Sequence, residues 1–446
     1  MNNKISTKLL SLALLTMPIT SVAREWSLQD CINYALQNNI SLRKQQLAKL
    51  VAKEDVLQSK AALLPSLSAS TSQSVGYTPW VTSGISGDGY SKMAVDKTYY
   101  NGSYGISGNW TLWNGNQNRN NIKLNKLIED KAVIDSAVTA HTIQEQIAQL
   151  YVQILYTTEA IKVNKESLET STKNEARGQE MVKVGKMSKA DLAQLTSQRA
   201  QDEYNVVSAE SQVKNYKRQL KELLQITDEE AFDIVIPATA DEQALQAIPA
   251  MNTIYMAALD NRPEIKSYQN TIAQSDLQIT IAKAQKMPTI SANAGISTST
   301  TSMNSNTWGR QLKNNVMAGA GFTVSVPIFD NRASKTAINK AKLMRESSML
   351  DLKDKQTTLY STIENYWLQA TTNQNQFKAA RISTESAQAS YELLSEQFRL
   401  GLKNIVELMT GKDKLLTAQQ NELQSKYMSI LYINMLKFYQ DGTLKQ

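Results

Sequence analysis

The side chains that do most protein chemistry are scarce in this chain. Its 446 residues include one histidine, His141, and one cysteine, Cys31. That is too few for a metal site or thiol chemistry. His141 falls mid-helix with no Cys, Asp or Glu cluster at ligand spacing, and reads as a helix-surface or seam residue. Cys31, in "LQDCINYAL", reads as a small buried helix residue. No Gly-rich phosphate loop or nucleophile elbow occurs, and 41 acidic residues produce carboxylate pairs by chance. Ser188 and Asp191 in "VGKMSKADL" have the three-residue spacing of a helix start, close to a capping box. No catalysis, metal or cofactor is expected. The net charge is +7, or +5 without Lys4 and Lys8, and is spread along helices with no dense basic block. Nucleic acid is therefore not an expected partner.

The elements that carry these residues have two different periods. In "GNWTLWNG" and the residues before it, Tyr104, Ile106, Trp110 and Leu112 alternate with Ser103, Gly105, Ser107, Asn109 and Thr111. This is a strand with one apolar and one small polar face. Past Asn114-Gly115 a helical pattern runs through 114–184, 71 residues, or about 105 Å at 1.5 Å per residue. A helix that long needs lateral partners. Ile147, Ile154 and Ile161, with Ile143 and Leu150 filling the alternate positions, have coiled-coil spacing, as do Met409, Leu416, Leu423 and Ile430.

The chain repeats itself. "AALLPSLSAS" (61–70) matches "AQKMPTISAN" (284–293) at an offset of 223. "WTLWNGNQNRNNIKLNK" matches "VSVPIFDNRASKTAINK" (324–340), and "VKVGKMSKADL" matches "FRLGLKNIVEL" (398–408), both at an offset of 216. A tandem duplication is expected. A first repeat spans 24–225 with strands at 66–78 and 100–113. A connector follows at 226–250, then a second repeat at 251–446 with strands at 289–298 and 316–329. Single helices are expected at 27–63 and 251–286, with loops at 78–99 and 298–315. Residues 1–23 read as a secretory signal peptide: Lys4 and Lys8, an apolar stretch from Leu9 to Ile19, then Ser21-Val22-Ala23. Cys31 is too far along to be a lipoprotein cysteine. No stretch is long and apolar enough for a transmembrane helix.

Four strands with almost no charge on either face fit a membrane barrel better than a soluble sandwich. Barrels in lipid must close, and single-chain barrels start at 8 strands. Strands must therefore be pooled between copies, two giving 8 and three giving 12. Tyr99, Tyr100, Trp110 and Trp113 would form an aromatic belt near the strand ends. The fold class is thus mainly α with a small β part: long antiparallel coiled-coil hairpins plus four transmembrane strands per chain.

The duplicated Pro-then-strand segments, the "WTLWNG"/"VPIFDN" strand ends and the "VGKMSKADL"/"RLGLKNIVEL" tips resemble the TolC-like outer-membrane efflux proteins, over nearly the whole mature length. The resemblance implies a homotrimer in outer-membrane lipid, with one shared 12-stranded barrel continuing into a periplasmic α-barrel. A periplasmic adaptor and an inner-membrane pump would be its partners, and small molecules such as drugs and toxic compounds its cargo. It also implies a closed tip with an acidic ring at Glu407, whose second acidic position falls on Thr410. A closing contact would involve Lys403, with Phe398 at a position where relatives can have Tyr, and Asp191 as the carboxylate partner of Lys403. The tip residues Gly185, Lys186, Met187, Ser188, Gly401, Leu402 and Asn404 would meet the adaptor. Three Glu407 carboxylates around a narrow lumen would attract cations. Two alternatives remain at this point: the outer-membrane component of a type I protein secretion system, and a periplasmic coiled-coil adaptor. The adaptor would leave the four strands without a role.

Overall fold

The structure, a computed structural model, describes residues 24–79, 83–85, 92–94, 97–227, 232–236 and 240–444. The signal peptide, most of the 78–99 loop and parts of the connector lie outside the described residues. In chain order the elements are β1 (Arg24–Trp26), α1 (Leu28–Asn38), α2 (Ile40–Ala61), β2 (Ser66–Tyr77), β3 (Ser83–Ile85), β4 (Lys92–Ala94), β5 (Thr98–Asn114), α3 (Gln117–Lys183) and α4 (Lys189–Leu224). There follow β6 (Phe232–Ile234), α5 (Ala240–Ala244), α6 (Met251–Asn261), α7 (Pro263–Ala284), β7 (Thr289–Thr301), α8 (Trp308–Asn314), β8 (Met317–Ser325), α9 (Ala333–Arg399) and α10 (Ile405–Asp441).

The two expected single helices are each a pair. The 251–286 helix breaks at Arg262 because Pro263, the first residue of α7, has no N–H and holds its predecessor extended (φ −68°, ψ 127°). At the matching place the 27–63 helix breaks at Asn39, also extended (φ −66°, ψ 127°). Its buried amide donates to Leu223 O at 2.9 Å. The long helices begin after paired left-handed residues. These are Gly115 and Asn116 (φ 65° and 63°) before α3, and Asn331 and Arg332 (φ 49° and 70°) before α9.

The chain divides into two compact units. One contains Ser41–Ala140 and Tyr255–Thr362. Its centre is one open antiparallel sheet in the order β2-β5-β7-β8. Register runs from Ser66↔Asn109 to Tyr77↔Thr98, from Asn101↔Thr301 to Asn114↔Thr289, and from Thr289↔Ser325 to Ser297↔Met317. The period-2 pattern therefore places Leu67, Ala69, Ile106, Ile296 and Ala318 on one face, and Ser68, Ser70, Gly105, Ser107, Gly295 and Ser297 on the other. A bulge between Thr111 and Trp113 brings Trp113 opposite Ile290, onto the apolar face. Tyr99, by contrast, lies on the Ser/Gly face with its ring over Gly76, and so is not part of a belt with Tyr100 and Trp110. β8 is shorter than expected: it stops at Ser325, two residues before Pro327, which cannot donate to a ladder.

The other unit contains the described residues up to Ile40, His141–Ile254, and Ile363 onwards. β1 and β6 pair in parallel there. Tyr151 Oη lies 2.8 Å from Val235 O, to which it donates. Trp26 packs edge-on to Tyr34 and against Phe232. Ile143, Ile147, Ile154 and Ile430 are buried as the heptads require, whereas Ile161, Met409, Leu416 and Leu423 are only half-buried. In α10 the buried line runs instead through Leu408 and Leu415. His141 stacks on Phe438, ring centroids 5.0 Å apart. Cys31 is fully buried, which pushes its thiol up to about 12. No described helix is long and apolar enough to cross a membrane.

Candidate functional site at the hairpin tips

Both long hairpins turn on a glycine that the backbone requires. Gly185 (φ 73°) and Gly401 (φ 76°) lie in the left-handed region, where a Cβ is strained. In each, two crossed bonds close the helix end. Lys186 N donates to Met181 O (2.8 Å) and Gly185 N to Val182 O (3.0 Å). Leu402 N donates to Gln397 O (2.9 Å) and Gly401 N to Phe398 O (3.0 Å).

The returning helices start on polar caps. Ser188 Oγ accepts from Asp191 N at 3.0 Å and donates to Asp191 Oδ2 at 2.8 Å. Asn404 and Glu407 form a complete capping box: Glu407 N donates to Asn404 Oδ1 at 2.9 Å, and Asn404 N to Glu407 Oε2 at 3.2 Å. Lys403 then occupies the other carboxylate oxygen, Nζ to Oε1 at 2.5 Å. These bonds, the Lys403 one first, hold the Glu407 carboxyl below the usual carboxylate range.

Within one chain the charged tip residues have local partners. Lys403 pairs with Glu407, one turn along its own helix, and Asp191 is taken by Ser188. A partner four residues away costs far less ordering entropy than one on another hairpin. Phe398 is 7% exposed and packs with Leu195, Ile405 and Leu408. Met187, Tyr391 and Met409 lie against this cluster, so the two tips are joined by apolar contact. Thr410 is exposed, as are Gly185, Lys186, Ser188, Gly401, Leu402 and Asn404. Exposed Val184, Leu400 and Val406 add apolar surface beside them.

Sequence reasoning missed a buried charge behind the tips. Lys412 Nζ on α10 donates to Asp202 on α4 and to Ser171 on α3, and Ser171 Oγ donates to the same Asp202 oxygen. All three are at most 5% exposed. Gln420 Nε2 donates to Asn164 Oδ1 at 3.2 Å, a second polar layer between the hairpins. A signal was present: the buried residues Thr157, Asn164, Ser171 and Gly178 recur every seven residues, so the α3 seam is small and polar toward the tip.

Similarity to known proteins agrees with this architecture. The family model for outer membrane efflux proteins matches residues 31–224 and 254–429. "Toxin and drug export protein A" of Aggregatibacter actinomycetemcomitans is 21% identical over 314 residues, 69% of this chain and 66% of that protein. The chain thus spans just under two thirds of that relative's length. Outer membrane efflux protein BepC of Brucella suis is 20% identical over 403 residues, 88% of this chain and 80% of that one. The crystal structure of the Campylobacter jejuni CmeC outer membrane channel superposes with a TM-score of 0.77 at 18% identity, covering 94% of this chain and 86% of that one.

Proposed function

The chain belongs to the outer membrane efflux protein family, whose members are outer-membrane channels and not enzymes, and from that premise we propose that three copies form one export conduit. The observation that carries the reading is the open sheet. β2 and β8 each pair on one side only among the described strands, and in lipid those edges must be satisfied. The β8 edge of one copy meets the β2 edge of the next, and three copies close a 12-stranded barrel. Its Ser/Gly face lines a lumen and its apolar face meets lipid. The hairpins form the periplasmic part, descended from a tandem duplication, and the tips gate it.

At the gate the apolar cluster around Phe398 holds the hairpins together, with one Glu407–Lys403 pair per copy facing the axis. The ring of three carboxylates is thus largely neutralised by its own lysines, and the closed tip selects ions weakly. The exposed tip surface, with Leu402, Leu400 and Val184, suits an adaptor that joins the channel to an inner-membrane pump. Small toxic molecules are the cargo that the names of the relatives support. Protein secretion is the second reading, and the word "toxin" in one relative's name is its support.

Planar-bilayer conductance of the purified protein tests this. Wild type should give small currents. Lys403→Gln should raise cation selectivity and block by trivalent cations, and Glu407→Gln should remove both. A monomer without conductance would end the channel reading. Conductance indifferent to both substitutions would remove only the gate assignment.

A further inference from the structure

On β7 the apolar face of the sheet ends abruptly. It runs through Ile290, Ala292, Ala294 and Ile296, about 20 Å of strand at roughly 3.3 Å per residue. The next positions on that face are polar: Thr298 opposite Tyr104, and Thr300 opposite Gly102. α8, in the loop between β7 and β8, folds back over this level. Trp308 packs edge-on to Tyr104, centroids 6.2 Å apart. Thr298 Oγ1, from the same face as Ile296, donates to Leu312 O at 2.8 Å.

The helix is fixed there. Gln311 is 4% exposed. Its amide donates to Asn306 O (2.7 Å) and Thr301 O (3.1 Å), and accepts from Thr301 N (2.8 Å). Asn315 Nδ2 donates to Ser299 O at 2.7 Å. With Gln311 turned inward, α8 leaves Trp308, Arg310 and Lys313 exposed, and neither cation has an ion pair among the described residues. No Asp or Glu occurs from 277 to 329, so the positive charge of this strand–loop–strand segment is uncompensated locally.

An aromatic ring beside two cations, at the boundary where an apolar face turns polar, matches a membrane headgroup layer in both polarity and sign. We propose that α8 is a fixed clamp on the outer rim of the barrel that binds phosphorylated glycolipid headgroups of the outer leaflet. Trp308 lies at the level of the acyl boundary, and Arg310 and Lys313 bind phosphate. The proposal rests on the barrel reading, because only closure turns this face toward lipid.

The test is lipid retention by the purified full-length protein in neutral detergent, read by native mass spectrometry with added lipid A as the probe. Arg310→Gln/Lys313→Gln should weaken binding about 30-fold, from the typical contribution of two basic residues at an anionic surface. Trp308→Ala should weaken it less. The same spectra report the trimer, and bilayer conductance of the variants reports the pore. A trimeric, conducting double variant that retains lipid A like wild type would overturn the clamp and leave the barrel standing. A wild-type protein that is monomeric and non-conducting would fail at the barrel, whatever lipid it binds. Equal retention of lipid A and its fully dephosphorylated form by wild type would also overturn the clamp, since phosphate is what the two cations should read.

Discussion

The two hairpin tips are built on one backbone plan with different side chains. Gly185 and Gly401, Ser188 and Asn404, and Asp191 and Glu407 each stand 216 residues apart in matching places. The backbone bonds at the two turns agree within 0.1 Å. Where the second tip has Lys403 on Glu407, the first has Met187 against the Phe398 cluster. Behind the turns the contrast is sharper. Ser171 and Asp202 of the first hairpin correspond to Ala387 and Ala418 of the second. In the first hairpin Gly178 faces Leu195, and a Cβ on it would lie 2.6 Å from Leu195 Cδ1. In the second the sizes are exchanged: Gly411 faces Leu394, again at 2.6 Å. Turn geometry is thus set by a few backbone-demanding residues and is kept in both tips. The surfaces that the hairpins offer each other differ, and the first carries the buried carboxylate that the second answers with Lys412.

The strongest way to break this contrast is to remove half of the buried pair. Lys412→Met leaves Asp202 uncompensated and should cost about 3–5 kcal/mol, whereas Asp202→Leu/Lys412→Met should come close to wild type. Chemical denaturation of the four combinations gives the coupling directly, and additive effects would mean that the pair is wet. Phe398→Ala should cost about 3–4 kcal/mol and, by unpinning the tips, raise the resting conductance. A stability loss with unchanged conductance would separate packing from gating. Gly178→Ala and Gly411→Ala test the exchanged sizes. Each should cost about 1 kcal/mol, the low end for overpacking, because the clashing atom is a terminal methyl that can yield. Equal losses in thermal melts would show that the two contacts are equivalent.

The smallest effect concerns pH. Glu407 has a lowered pKa in the folded tip, so its stabilising contribution is present above the unfolded carboxyl value, near 4.3, and fades as pH falls through the lower folded value. The hydrogen-exchange protection factors of the second-tip amides, with the intrinsic pH dependence of exchange removed, should fall on acidification in wild type. In Glu407→Gln the protection should be uniformly lower, and that fall should vanish. An unchanged profile in the variant would mean that the Lys403 pair contributes nothing there.

Much of this was legible in the sequence because it depends on local period. Alternation gave β2, β5 and β7 to within a few residues, and heptads gave the long helices. Glycine and capping residues located both tips. What could not be read depends on partners far along the chain. Asp202 lies on the α4 seam, seven residues after Leu195 and four before Val206, but the cation that neutralises it lies 210 residues away. The helix break at Asn39 is unsignalled locally, because the carbonyl that holds its side chain belongs to Leu223. The Lys403–Glu407 spacing of four was visible, and it favoured the local pair over Asp191. The bulge that turns Trp113 toward Ile290 arises from pairing β5 with β7, not from either strand alone.

That same pairing has a temporal consequence. β2 and β5 are neighbours in sequence, but β5 must then find β7, with Gly105 opposite Ser297 across 192 intervening steps of chain. The first strand pair therefore emerges during synthesis and export with one side unmatched, and stays so until the whole first long hairpin and the connector have followed. Such non-local pairing slows folding and leaves strand edges open to the wrong partner. The uncharged, small-residue strands that suit a lumen are thus the segments most in need of protection in transit. The hairpin of α3 and α4, made of local contacts, can form first and wait.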